Sequence, residues 1–449
     1  MSRMVTKQLS PSRLLKVCLI GLALIVALMP IHAFVSTWGG TAIGPLLVWK
    51  SWKEILLVAL LLVFGVWLTQ MPGRLKQFFD DRFVAIIGLY ALMTVIYGIF
   101  FISQNGLEAT VAGVMMNLRY PLIALLFYGV FRFSAIDYAV WRRYAAGFLI
   151  AAGTMLALIG IAQVTVIPKD FLSQFGYDKT TTIAPYTLID QNPDALRAFA
   201  TLRGPNDFGA YLILPLLLTC LAIRKRRWMI MPLLLMVEAS ILSGSRSAWI
   251  GTLVAGGCLS LFLIGRKLFA SKKLLSGIAV GFVSALIVFY AAFSIPSLRL
   301  AIFHSSPGDS SLTEGSTDQH WKATSAGLHR VATNPLGCGP GCAGPASYYG
   351  NSPEISENYY VQILEEVGIG GALLWATLVA IVARRLYRAR GDWIAQVLLA
   401  SGIGISVIGL LLHVWSDDPL SLTWWALAGM VLGVLARTYT SKSLTKSVL

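Results

Sequence analysis

Three groups of residues have the types and spacing for chemistry, and together they suit an anion grip beside a proton acceptor. The first is Arg197 and Arg203, followed at once by Gly204-Pro205-Asn206-Asp207. Pro205 and Asn206 suit a helix start, where unpaired backbone N–H groups favour an anion. Arginines beside such a start would make a phosphate cradle, because a guanidinium can grip phosphate through two bonds at once. The bland alternative is that both decorate a wet interface. The second group is Ser243-Gly244-Ser245-Arg246-Ser247, pressed between two apolar runs. An arginine at a membrane boundary is costly unless paired, solvated or bound to ligand, and small neighbours let a ligand approach the backbone. Snorkelling of Arg246 to headgroups is the competing explanation. The third group is Glu357, with His320 and His329 upstream, in the polar stretch 296–358. A carboxylate where a loop re-enters the membrane is partly desolvated and suited to accept a proton, although it could equally serve only the dipole of the next helix.

The same stretch carries a Gly/Pro/Cys knot over 335–345. Its glycines allow close backbone approach, but it lacks the Lys-Ser/Thr ending of a phosphate-binding P-loop. Cys338 and Cys342 could form a local disulfide in an oxidising space or remain free thiols, whereas Cys18, Cys220 and Cys258 fall in apolar runs and suit packing. His320 and His329 are nine apart, on roughly opposed faces of any helix carrying both, which is poor for a shared metal. That spacing gives no reason to expect a metal, and no cofactor is expected. His32 and His413 read as packing or interfacial residues. One of Glu365 and Glu366 is expected to face the cavity of Glu357, and Glu238 to pair with a neighbouring helix.

The elements that must position these residues are membrane helices. Of 449 residues 56% are hydrophobic and 13% charged, and the mean hydropathy is +0.71, which fits a polytopic membrane protein. The net charge of +15 does not imply nucleic acid, because Lys and Arg gather in short clusters between apolar runs, as the positive-inside rule predicts. Contact with anionic membrane lipids is a side effect. Spans fall near 14–34, 54–68, 83–103, 111–131, 144–167, 208–223, 228–242, 247–264, 274–295, 359–383, 394–415 and 420–436, about 12 helices in all. Basic clusters occupy alternate connections and both ends, so these lie on the cytoplasmic side. The long loops 168–207 and 296–358 then face outward.

The expected organisation is thus 1–167 for helices 1–5, 168–207 for a first outer loop, and 208–295 for helices 6–9. A large outer loop 296–358 lies between helices 9 and 10, and 359–449 holds helices 10–12 and a cytoplasmic tail. The loop 296–358 has room for helices of its own, with a helical pattern at 321–331.

Taken in order, Arg197…Pro205-Asn206-Asp207-Phe208-Gly209, Ser243-Gly244-Ser245-Arg246, Asn334-Pro335-Leu336-Gly337 and Glu357-Asn358-Tyr359-Tyr360…Gly368-Ile369-Gly370-Gly371 resemble the O-antigen ligase and O-antigen polymerase superfamily. The resemblance covers roughly 191–371. It implies an all-α, GT-C-like integral enzyme of the bacterial inner membrane with its site facing the periplasm. The donor would be a glycan on undecaprenyl pyrophosphate. The acceptor would be lipid A-core or another lipid-linked glycan, and transfer would be inverting and metal-independent. Arg197 and Arg246, with Arg203 and Asn206 nearby, would hold the pyrophosphate. The family histidine before Asn-x-Tyr is Glu357 here. Either Glu357 takes over as general base, which we prefer, or His320 or His329 supplies the imidazole. This departure tilts the reading slightly towards polymerase or exopolysaccharide assembly. A flippase for the same lipid-linked glycan and a non-catalytic scaffold are the competing readings.

Overall fold

The computed structural model describes residues 13–189, 192–193, 195–264, 310–350 and 353–446. They are mostly helical. The first half contains α1 (Arg13–Leu28), α2 (His32–Ala42), α3 (Leu46–Thr69), α4 (Pro72–Phe79), α5 (Arg82–Asn105), α6 (Leu107–Phe133) and α7 (Tyr138–Thr165). The second half contains α8 (Pro205–Ile223), α9 (Ile230–Leu242), α10 (Arg246–Ile264), α11 (Ser310–Thr333), α12 (Tyr359–Arg388), α13 (Trp393–Ile408) and α14 (Asp418–Lys446). A short antiparallel ribbon, β1 (Thr187–Leu188) and β2 (Leu196–Arg197), lies before α8.

Among the described residues nine helical segments are long and apolar enough to cross a membrane, α1 and α2 counting as one. This falls short of the twelve expected for three reasons. The run 274–295 lies outside the described residues. The run 228–242 becomes α9, of 13 residues, and the run 394–415 becomes α13, of 16. In the last case hydropathy cannot register a turn made of apolar residues. α13 stops at Ile408, and Gly409 to Leu412 turn the chain before a 3-10 turn, Val414–Ser416, leads into α14.

α14 and α6 form the buried centre. A Cβ on Gly429 would run into the Ala124 carbonyl and one on Gly433 into the Tyr128 carbonyl, so the two backbones lie in direct contact. One end of the bundle is tied by aspartates that both cap helices and pair with arginines. Asp81 caps α5 through Phe83 N and bonds Arg385 Nη2 at 2.6 Å, joining α5 to α12. Asp392 caps α13 and bonds Arg142 Nη1 at 2.8 Å, joining it to α7. At the other end Asn105, the last residue of α5, donates to the Cys338 carbonyl at 2.8 Å.

α12 is broken. Gly368 has φ +63° and ψ −176°, outside helical values. The rings of Tyr359 and Trp375 are 5.6 Å apart although sixteen residues separate them, about 24 Å on a straight helix. The short arm before Gly368 therefore folds back on the long one, carrying Glu357 with it.

Candidate active site

Arg197 reaches the site from the ribbon, opposite Thr187. Its Nε donates to the Ser243 carbonyl at 2.8 Å and its Nη2 to Asn206 Oδ1 at 2.9 Å. The loop behind it is stapled to α7, since Gln163 Oε1 accepts from Phe199 N and Ala200 N at 3.0 and 2.9 Å. Gly244, at φ +60°, closes the turn under this guanidinium, where a Cβ would sit 3.2 Å from Arg197 Nε. Arg197, Asn206 and the Ser243–Arg246 turn are thus one structure.

α8 starts at Pro205 and α10 at Arg246, and their first turns pack together. A Cβ on Gly209 would lie 2.7 Å from Ala248 Cβ and 3.1 Å from Ser243 Oγ. Two helix N-termini, each with partial positive charge and unpaired N–H groups, thereby converge beside Arg197 and Arg246.

Next to this cradle stands a carboxylate–imidazole pair. His320 Nδ1 of α11 contacts Glu357 Oε2. Burial, and then the charge of Arg246, lower the His320 pKa from its ordinary value. The helix cap is Asn358, whose Oδ1 accepts from Tyr360 N and Val361 N at 3.0 and 3.1 Å. Glu357 is left clear of capping and is held at φ +51°, a conformation that non-glycine residues rarely adopt and that recurs at functional sites. His320 and Glu357 are therefore in contact, and Arg246 is near enough for its charge to act on His320. His329, nine residues along α11, is exposed and does not join them. Arg203 is exposed too, and its charge reaches His413 and Asp417.

His413 is the residue that sequence reasoning missed. Expected to be a packing or interfacial residue, it also lies close enough to Arg203 and His320 to feel both charges. Burial first, then those charges, bring its pKa down to about 4. Burial, Asp207 and Asp418 push the neighbouring Asp417 well up, against the pull of Arg203. Beneath them Asp418 pairs with Arg119, and with Lys53 at 2.9 Å. Glu54 binds Lys53 at 3.1 Å and Arg119 at 3.2 Å. Trp52 Nε1, a donor only, bonds His32 Nδ1 at 3.0 Å, so the imidazole proton must sit on Nε2, 3.4 Å from Asp418 Oδ2. Two cations and two anions balance around a neutral His32. The signal is present in the sequence, since His32, Glu54, Arg119 and His413 lie within apolar runs and Lys53, Asp417 and Asp418 at their margins, but hydropathy does not show that they meet.

The Gly/Pro/Cys knot anchors the site. Cys338 N donates to Glu365 O at 2.8 Å and Ile369 N to Pro335 O at 3.0 Å. A Cβ on Gly341 would strike the Ala109 carbonyl, so the glycines admit α6 and α12 rather than a ligand. Cys338 and Cys342 are disulfide-bonded, with Cα atoms 5.9 Å apart. Glu365 and Glu366 clamp this knot. Glu365 Oε1 accepts from Arg330 Nε at 2.6 Å, and Glu366 accepts from Asn117 Nδ2 at 2.6 Å and Gly341 N at 3.2 Å. Neither serves Glu357 directly. Glu238, expected to pair with a neighbouring helix, is exposed on α9 with no ion pair among the described residues. Among the described residues no cluster of three or more His, Cys, Asp or Glu could hold a metal.

Residues 231–376 match the family model described as O-antigen ligase. That segment is similar to the O-antigen ligase family. It is about a third of the chain and contains Arg246, His320, His329, Glu357 and the whole knot, while Arg197, Arg203 and Asn206 precede it. No curated protein matches the chain. The match over that segment and the apolar helices support a multi-pass membrane protein similar in that part to the O-antigen ligases.

Proposed function

We propose that the protein transfers a glycan from undecaprenyl pyrophosphate to an acceptor hydroxyl at the periplasmic face of the bacterial inner membrane, with its basic end in the cytoplasm. Arg197, Asn206 and the N-termini of α8 and α10 hold the pyrophosphate, and Arg246 lies between it and the base. As the C1–O bond to phosphate breaks, its electron pair passes to the pyrophosphate. The preorganised positive groups stabilise that growing charge. The acceptor oxygen attacks C1 from the opposite face, inverting it, and gives up its proton.

The expectation that Glu357 itself is the base is revised in this reading. Glu357 Oε2 is engaged by His320 Nδ1, so the carboxylate orients the ring and His320 Nε2 takes the proton. The observation that carries the proposal is the meeting of Arg246 with the His320–Glu357 pair. The acceptor is lipid A-core or a second lipid-linked glycan.

Arg246→Ala tests the reading. Transfer should be lost while membrane insertion and folding are kept, and an unchanged polysaccharide profile would refute it. The broken α12 favours one other reading, since discontinuous helices are common in transporters. Protein reconstituted with donor lipid on one side separates the two. Coupled glycan without lipid translocation supports the enzyme, and translocation without coupling supports a flippase.

A further inference from the structure

The break in α12 leaves two backbone groups without the partner that a continuous helix would give them. In an unbroken helix Ile369 N would donate to Glu365 O, four residues back. At Gly368 the chain leaves helical geometry, and both groups turn to the Gly/Pro/Cys knot instead. Cys338 N donates to Glu365 O at 2.8 Å, and Pro335 O accepts from Ile369 N at 3.0 Å. The knot thus stands in for the missing helical bond. It fits there because it offers bare backbone. A Cβ on Gly337 would lie 2.6 Å from Gly368 N, and one on Gly368 would strike the Leu336 carbonyl.

Such a loop does not hold its own shape. Gly337, Gly339 and Gly341 have φ of +88°, +89° and +88°, and glycine has the most backbone freedom to lose on folding. The Cys338–Cys342 disulfide removes that freedom by closing the turn across Gly339-Pro340-Gly341. Its sulfurs lie 3.3 and 3.7 Å from Glu365 O, the atom that Cys338 N holds. Asn105 Nδ2 donates to Cys338 O at 2.8 Å and fixes the turn to the bundle.

Both partners of the His320–Glu357 dyad hang from this turn. α11, carrying His320, runs into it after Thr333, and the short arm of α12 pivots on it at Gly368. Glu357 is eleven residues from the pivot, about 16 Å along the arm, so a tilt of about 10° shifts it by about 3 Å. A contact at hydrogen-bond distance does not survive such a shift. Other holds keep the arm folded. Tyr359 N donates to Gly409 O at 3.0 Å, and Arg330 Nε to Glu365 Oε1 at 2.6 Å. Loosening the turn should therefore spoil the aim of the dyad and leave the bundle intact.

We propose that the Cys338–Cys342 disulfide is a positioning element for the reaction. It clasps the break in α12 and so holds Glu357 against His320, and the protein transfers glycan only in its oxidised form. This rests on the reading above and adds a positioning pair to it. Closing the bond takes two electrons and two protons from the thiols, and both pass to the disulfide of a thiol-exchange donor outside the cytoplasm. A dithiol reverses the step. One of its thiolates attacks a knot sulfur, its second sulfur closes on the first as a cyclic disulfide, and the two cysteines leave as thiols. Both cysteines are half-buried, within reach of a small dithiol. Cys18, Cys220 and Cys258 are free, so a reductant has no other bond to act on.

The test uses the full-length protein in nanodiscs, with donor and acceptor glycolipids extracted from the producing strain. It is assayed as isolated, after dithiothreitol, and after reoxidation. On reduction kcat should fall about tenfold or more and return on reoxidation, with donor KM unchanged. The double variant Cys338→Ser, Cys342→Ser should show the low rate throughout and ignore both treatments. Should it fail to insert, the reduced wild type decides alone. His320→Gln separates positioning from general stabilisation, because its residual rate should not fall further on reduction. Hydrogen–deuterium exchange supplies a readout without turnover. Peptides covering 335–345 and 357–369 should exchange faster when reduced, while those of α6 and α14 keep their protection. Full activity of the reduced wild type or of the double variant, an equal further loss in His320→Gln, or faster exchange across the whole bundle would each overturn the inference. Arg246→Ala runs alongside. If it stays active the glycosyltransferase reading fails, and if it is dead while reduction leaves the wild type unchanged only the disulfide inference fails.

Discussion

In the proposed mechanism His320 and Glu357 divide between them a task that a single residue was expected to perform. There the glutamate would fix the tautomer and leave the second nitrogen of the imidazole to take the proton. His320→Gln should lower kcat by about 10²–10⁴-fold, the usual range for a lost general base. Glu357→Gln should cost less, because the ring survives but loses its orienting charge. The pH profile follows from the lowered imidazole pKa. A base must be neutral, so the rate should be flat from about pH 6.5 upward and fall only in more acid solution, below the free-histidine value. A rate that still climbs between pH 7 and 8 would count against His320. Stopped assays across pH 5–9 on wild type and His320→Gln make the comparison.

At the scale of elements, the break at Gly368 decides where Glu357 stands. A side chain there would face both a positive φ and the Leu336 carbonyl of the knot. Gly368→Ala should therefore destabilise the protein by at least about 1–3 kcal/mol and misplace the dyad, lowering thermal stability in detergent and activity together. Asn358→Ala removes the cap of the short arm and should cost about 1 kcal/mol by the same measurement. A variant of either kind that melts like wild type would show that the fold-back is not held by these residues.

For the whole molecule, the buried ionic cluster ties α2, α3, α6 and α14 beneath the site. Arg119 is 5% exposed, and removing one member of such a cluster leaves an uncompensated buried charge. Asp418→Asn should cost about 3–5 kcal/mol of stability, seen as a lower melting temperature with the disulfide intact. His413 adds a pH term. Its folded pKa of about 4 lies below the ordinary histidine value, so between the two the unfolded chain binds the extra proton. Stability is thus fully present above about pH 6.5 and declines as pH falls towards 4, by at most about 3 kcal/mol. His413→Leu should flatten that slope in melting curves recorded from pH 7 to 4.

What could be read from the sequence was whatever is written locally. Apolar runs, basic clusters and the motifs around Arg197, Arg246 and Glu357 report on a residue and its near neighbours, and each marked a span end or a charge in an unusual place. The helix in the outer loop at 321–331 and the Pro205 helix start were legible for the same reason. Contacts across the bundle were not. That Arg197 holds the Ser243 carbonyl, that His320 faces Glu357, and that His413 joins them depends on residues 37 to 93 positions apart meeting through a folded scaffold. The sequence by itself determined a helical membrane protein with arginines and a carboxylate in polar loops between the spans. Only the tertiary structure decided which of them share a site, because a hydropathy window sees neither the fold-back at Gly368 nor the side chains brought across it.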